Sequence, residues 1–173
     1  MAEDGIKLHR GLREVYIDRT KSSFIDGKAG KLYYRGYNID DLAQNCSFEE
    51  VIYLVMMGNL PTVDELSNFK KELVANMELS DAALDIIRIT KSAHPMDVLR
   101  TTISALSAFD PDVDDNSAEA TLRKGTRLTA QAPTIVSAHA RIRQGKEPVS
   151  PDPNLGLAGN FLYMLFGEVP DER

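Results

Sequence analysis

Hydrophobic and polar positions change their rhythm once along this chain. Over residues 13–35 the apolar side chains come in short runs. Val15 and Ile17 alternate with Tyr16 and Asp18, Ser22 to Ile25 follows the polar Arg19-Thr20-Lys21, and Lys31 to Arg35 follows the turn-rich Asp26-Gly27-Lys28-Ala29-Gly30. Such runs, punctuated by glycine, predict a small antiparallel meander with strands near 14–18, 22–25 and 31–35. From residue 38 to 167 the period is helical. Ser47-Phe48-Glu49-Glu50 and Thr62-Val63-Asp64-Glu65 each place a carboxylate three residues after a hydroxyl, the form of a capping box. The first opens a helix carrying Val51, Leu54 and Val55 and running out at Gly58; the second opens one with Leu66, Phe69, Leu73 and Met77 on one face. Ser80 is an N-cap candidate for a helix with Leu84, Ile86 and Ile87 on its apolar side. Pro95, whose missing N–H is harmless in a first turn, starts another with Leu99, Ile103 and Leu106 as its seam, stopped at Asp110-Pro111-Asp112.

The longest helical stretch covers about 117–143. Leu128, Ala132, Ile135, His139 and Ile142 form one stripe, while Ala120, Gly125, Thr126, Thr129, Ala130, Ser137, Ala138 and Ala140 are small. Small side chains on several faces let other backbones approach, so this helix is expected to be buried on more than one side, with a kink at Pro133. Gly145 stops it, and Pro148, Pro151 and Pro153 forbid helix in the following loop. A last helix aligns Leu157, Phe161 and Leu165 and ends at Gly167. The first four residues and the tail after Gly167 are expected to be loose.

Composition narrows the function classes. The 173 residues are 43% hydrophobic and 27% charged, enough for a sizeable core. The net charge is -6, Trp is absent, and no basic stripe carries interleaved aromatics, which argues against nucleic acid as a partner. No apolar run approaches the roughly 20 residues of a membrane span, and Met1 to Arg10 lacks the apolar core of a secretory signal. A single cysteine, Cys46, fits a reducing cytoplasmic setting.

The candidate chemistry is sparse. His9, His94 and His139 are far apart in sequence and make no metal-type cluster, so no metal site is expected. His94, just before Pro95, reads as a helix N-cap; His139 sits on an apolar stripe and reads as a buried, hydrogen-bonded histidine; His9 reads as solvated. Arg35, between Tyr34 and Gly36, is expected to pair with a buried acid. Asp97 and Arg100, three apart on one helix, are expected to pair with each other. Asp110, Asp112, Asp114 and Asp115 raise the question of a calcium loop, but their irregular spacing and the lack of a closing bidentate glutamate favour a solvated loop.

Four segments together carry a resemblance. Ile25-Asp26-Gly27 and Gly30 through Ile39, Phe48 through Thr62, Ser92-Ala93-His94-Pro95-Met96-Asp97-Val98-Leu99-Arg100-Thr101, and Asn160 through Gly167 resemble, in order and spacing, segments of the citrate synthases. The resemblance covers about residues 6–172. It implies a mainly α fold: a small N-terminal antiparallel β meander (13–35) followed by about six helices (38–167), all within the large domain. It further implies an enzyme that condenses acetyl-CoA or another acyl-CoA with oxaloacetate, needs no metal and no tightly bound cofactor, and works as a homodimer. Under this reading helices near 95–109 and 118–143 build the dimer contact.

Family chains are more than twice as long. The segments that hold the family's catalytic histidines, its aspartate and its oxaloacetate-clamping arginines do not occur in these 173 residues. No catalytic residue is therefore carried over, and the chain is expected to be an N-terminal fragment, inactive by itself, whose partner is the remaining C-terminal part. A parent 2-methylcitrate synthase, or a non-catalytic association module on the same scaffold, are the alternatives. His9-Arg10-Gly11-Leu12-Arg13 faintly resembles a segment whose arginine contacts CoA phosphate across the dimer; Arg10 is the matching position.

Overall fold

The structure is a computed structural model that describes residues 9–13 and 15–169. After a short 3-10 turn at Arg10–Leu12 come three strands, β1 (Ser23–Asp26), β2 (Lys31–Tyr34) and β3 (Tyr37–Asn38), and then α1 (Ile39–Asn45), α2 (Phe48–Met57), α3 (Val63–Ala75), α4 (Asp81–Ile89), α5 (Pro95–Leu106), α6 (Ala118–Ile142) and α7 (Leu157–Phe166).

The strands form one antiparallel sheet in the order β1-β2-β3, with Ser23 opposite Tyr34 and Tyr33 opposite Asn38. The third strand is not where the alternation of Val15 and Ile17 placed it. Residues 15–18 are irregular, and Tyr16 and Ile17 are 98% and 77% exposed. Alternation alone cannot make a strand without a neighbour to pair with, and a tight turn supplies that neighbour downstream instead. Arg35 and Gly36 both take positive φ, +50° and +93°, the backbone of a two-residue hairpin turn that returns the chain as β3. Glu14, the first expected strand residue, lies outside the described residues, as do the first four and the last four of the chain.

The helix starts follow their caps. Ser47 accepts from the Glu50 N–H and the Glu50 carboxylate accepts from the Ser47 N–H at 2.7 Å; Thr62 and Glu65 repeat the arrangement for α3. Ser80, His94 and Ser117 cap α4, α5 and α6. Asn38 caps α1 by accepting from the Asp40 N–H, so the last strand residue starts the first helix.

Two apolar clusters make the core. Leu79, Ala83, Ile87, Val98, Ile135, Ala138 and Ile142 join α4, α5 and α6. Phe69, Leu73, Met77, Ala130 and Leu157 join α3, α6 and α7. Helix α6 belongs to both, and it buries several faces, as its small residues predict. Its stripe differs in detail from the periodicity. Ile135, His139 and Ile142 are buried, but Leu128 is 38% exposed, while Thr126, Thr134 and Ser137 are buried. In α5 the fully buried positions are Val98 and Thr102, with Leu99, Ile103 and Leu106 packed partly against the first cluster. Helix α6 runs from Ala118 to Ile142 through Pro133 as one element. No helix among the described residues is long and apolar enough to cross a membrane.

Candidate functional site

The three histidines occupy three unrelated settings. His9 lies beside the N-terminal turn with Nδ1 3.1 Å from the Arg13 carbonyl. His94 Nδ1 accepts from the Met96 N–H at 3.2 Å, which makes it the expected cap of α5. His139 is 3% exposed, and its Nε2 lies 3.1 Å from the Lys91 carbonyl. A ring nitrogen facing a carbonyl must carry a proton, so Nε2 is the donor in this contact. Among the described residues no histidine contacts a carboxylate or a hydroxyl, so no base–nucleophile pair forms. Nor does any group of three His, Cys, Asp or Glu side chains there converge as metal ligands would.

Arg10 is exposed within its turn, and no other candidate residue is brought to it. Arg35 does not meet an acid. Its Nε and Nη2 donate to the Val55 carbonyl at 3.2 and 2.7 Å. Val55 lies in the last turn of α2, where carbonyls lack helical donors. A guanidinium fork fills that vacancy and ties the hairpin turn to the helices. Asp97 and Arg100 pair at 2.9 Å, as their spacing predicts, with both side chains more than half exposed.

The acidic loop is solvated only in part: Asp114 and Asp115 are exposed, while Asp110 and Asp112 are half-buried. Arg123 and Arg127, one turn apart on α6, face it. Arg123 grips Asp112 through Nε and Nη2 at 3.1 and 2.7 Å. Arg127 Nη2 bridges Asp110 at 2.6 Å and Asp112 at 2.8 Å. The hydrogen bonds from Arg123 and then Arg127 hold the Asp112 carboxyl far below the usual carboxylate range. Burial pushes Asp110 up, but its bonds from Arg127 and from the Asp112 backbone amide outweigh that and lower it. The signal was present in the sequence as two arginines at i and i+4; what it lacked was the path of the loop back onto α6. Beside this cluster is a cavity of about 460 Å³ between α5 and α6, walled by Ile103, Leu106, Phe109, Val113 and Leu128. A smaller one of about 200 Å³ is lined by Pro95, Leu99, Ile135, Val136, His139 and Arg143.

One polar residue was not singled out by sequence reasoning. Glu49, on α2, is only 8% exposed and its Oε1 accepts from the Leu157 N–H at 2.7 Å. Gly156, the N-cap of α7, has no side chain to do this. A carboxylate from 108 residues away performs the capping instead.

Comparison with known proteins decides what this arrangement belongs to. A profile described as "Citrate synthase, C-terminal domain" matches residues 11–173. The chain belongs to the citrate synthase family. It is 47% identical to the citrate synthase of Haloferax volcanii over 171 residues, which is 96% of this chain and 45% of that protein. It is 43% identical to a 2-methylcitrate synthase of Mycobacterium tuberculosis over 95% of this chain and 42% of that protein. The crystal structure of citrate synthase from Pyrobaculum aerophilum superposes with a TM-score of 0.89 at 40% identity, covering 94% of this chain and 43% of that one. The chain thus spans less than half the length of these family members. Within this citrate synthase framework the described residues form a meander and helical scaffold, with polar clusters that fasten elements together.

Proposed function

We propose that the chain is the amino-terminal part of the large domain of an acyl-CoA:oxaloacetate condensing enzyme, a citrate synthase or 2-methylcitrate synthase, and that it is inactive alone. The observation that carries this reading is the pairing of high identity over nearly all of this chain with coverage of less than half of its relatives. The chemistry agrees. Condensation needs a positioned carboxylate to remove a very weakly acidic proton α to the thioester, a donor for the developing enol oxygen, and guanidinium groups for the dicarboxylate. Among the described residues the arginines are committed elsewhere or exposed: Arg35 and Arg141 hold carbonyls, and Arg123 and Arg127 hold aspartates. Its role is to carry the scaffold on which the remaining part of the enzyme builds the site.

Two finer assignments go with this reading. The α5–α6 face pairs with a second copy to give a homodimer; the exposed Met96 and Val136 and the apolar 200 Å³ cavity beside them support it. Arg10, exposed on its turn, contacts a CoA phosphate in the assembled enzyme, where a fixed guanidinium suits a phosphate better than an ammonium does. Acetyl-CoA is a substrate and no cofactor stays bound. A cytoplasmic location fits the lone cysteine.

The test is thiol release from acetyl-CoA and from propionyl-CoA in the presence of oxaloacetate. The 173-residue chain is expected to give no release above the uncatalysed rate with either thioester. Turnover at the rate of an ordinary enzyme, about 1 per second or more, would show that the chain carries its own catalytic groups. The same assay on protein expressed from whatever coding sequence continues past Arg173 ranks the two acyl-CoA substrates.

A further inference from the structure

The outer side of β1 is unpaired. In the order β1-β2-β3 it is an edge strand, and among the described residues nothing bonds to its free side. The Arg35 N–H donates to the Ser22 carbonyl at 2.9 Å. Bonding alternates along an antiparallel pair. In this register Phe24 and Asp26 therefore bond to β2, while Ser23 and Ile25 aim their N–H and C=O groups outward. Phe24 and Ile25 are both large and both exposed, at 63% and 70%. They point to opposite faces of the sheet, so both faces are bare at this edge. Phe24 and Tyr33 lie with ring centroids 6.2 Å apart in a shallow groove of about 420 Å³ that Lys21 and Arg35 also line.

Charge is spread unevenly over the chain. The whole sequence has 26 acids against 20 bases, yet residues 9–37 have seven bases against three acids. Four of those bases flank β1, Arg19 and Lys21 before it and Lys28 and Lys31 after it, and all four are exposed. None makes an ion pair among the described residues. The acids beside them already accept from backbone: Asp18 from the Arg19 N–H, and Asp26 from the Lys28 and Ala29 N–H groups.

A free strand edge with an apolar middle and cations at both ends suits an extended polypeptide, which bonds through its backbone and is selected through its side chains. A lipid surface needs one apolar plane, and Phe24 and Ile25 do not share one. A second copy joined edge to edge would set these cations against their own kind. An acidic strand meets neither obstacle.

We propose that β1 takes up an extended segment of another protein as a fourth strand, a segment with a short apolar middle and acidic ends. Its backbone bonds to Ser23 and Ile25, an apolar side chain lies beside Phe24, and its carboxylates reach the cations at either end of β1. This surface belongs to a different element from the α5–α6 face and does not rest on the condensing-enzyme reading.

Amide NMR titration of the chain with a blocked heptapeptide, Val-Phe-Val between paired glutamates, tests this. The expected result is a shift of the Ser23 and Ile25 amides, slowed exchange of those two protons, and a Kd on the order of 100 μM. Binding is expected to weaken about tenfold on going from low salt to about 0.3 M. The same peptide N-methylated at alternate residues keeps its side chains and charge but loses the donors of one edge; it is expected to bind at least about tenfold more weakly, as is a peptide with lysine for glutamate. Ile25→Pro removes an outward N–H and no β1–β2 bond, a change that edge strands tolerate, and about tenfold weaker binding is expected while the Phe24 amide stays protected. Where that variant fails to fold, the N-methylated peptide decides on the unaltered chain. Absence of shifts with the acidic peptide overturns the proposal. So does equal binding by the N-methylated peptide or by an oligothymidylate of the same charge, which describes a cationic patch and no added strand. Loss of binding in protein expressed from a coding sequence that continues past Arg173 gives the edge to the protein's own remaining part, and overturns a separate partner.

Discussion

Ser47 and Thr62 show how little chain is needed to place a helix. Each hydroxyl and the carboxylate three residues on satisfy each other's backbone amides, and the N–H that Ser47 or Thr62 donates draws Glu50 or Glu65 below the usual glutamate range. Ser47→Ala and Thr62→Ala are each expected to lower stability by about 1 kcal/mol, read as a shift of the urea midpoint at unchanged slope. Gly125, inside α6, makes the opposite case. A Cβ there meets only the methyl end of Met56, at 3.1 Å, which can swing aside. Gly125→Ala is expected to raise stability by about 0.5 kcal/mol, since helix propensity gains up to about 1 kcal/mol and the shifted methionine returns part of it. These local devices were legible because hydroxyl, acid and glycine act on neighbours three or four residues away. Arg35 and Glu49 were not, because their partners, the Val55 carbonyl and the Leu157 N–H, are backbone groups 20 and 108 residues distant. Backbone groups leave no mark in a sequence.

At the scale of elements, what could be read was existence and order. What could not was rotation about the helix axis and the course of loops. Val98 and Thr102 are the fully buried positions of α5, while Leu99 and Ile103 flank them and pack only partly against the same cluster. The meander was placed one strand too early because the hairpin signal, an arginine before glycine, is chemically weak. The loop of Asp110, Asp112 and Asp115 is fastened to α6 by charge, and this fixes a pH dependence. All three carboxyls lie below their ordinary values in the folded chain: Arg127 and an amide outweigh burial at Asp110, Arg123 leads at Asp112, and the Ser117 amide leads at Asp115. A depressed folded pKa stabilises above the unfolded value, about 4, and the stabilisation fades as the pH falls below it. The urea midpoint is expected to hold from pH 7 to about 5 and to drop between about 4 and 2. Asp112→Asn is expected to flatten that drop while lowering the midpoint at pH 7. An equally steep acid limb in the variant would assign the loss to other carboxylates.

For the molecule as a whole, the four family-like segments carried more than any single residue, and they fall on β1–β3, α2, the start of α5 and α7. The homodimer reading makes the α5–α6 face the place where a second copy is felt. Light scattering at high concentration is expected to give a mass above the 19.2 kDa of one chain, and Val136→Glu, on an exposed position of α6, is expected to return it to one chain without unfolding. A strictly single-chain mass for the unaltered protein at every concentration would remove the α5–α6 face from consideration.

Helix α6 completes the first apolar cluster and α7, through Leu157, the second, and this sets a timetable during synthesis. Phe69, Leu73 and Met77 leave the ribosome well before Ala130, and Ala83, Ile87 and Val98 well before Ile135 and Ile142. Until α6 and then α7 have emerged, each group lacks part of the surface it packs against, and a nascent chain carries both sets of apolar side chains incompletely covered. A ribosome stalled near residue 120 should therefore recruit general chaperones, and one stalled far enough past residue 166 to free α6 and α7 from the exit tunnel should release them.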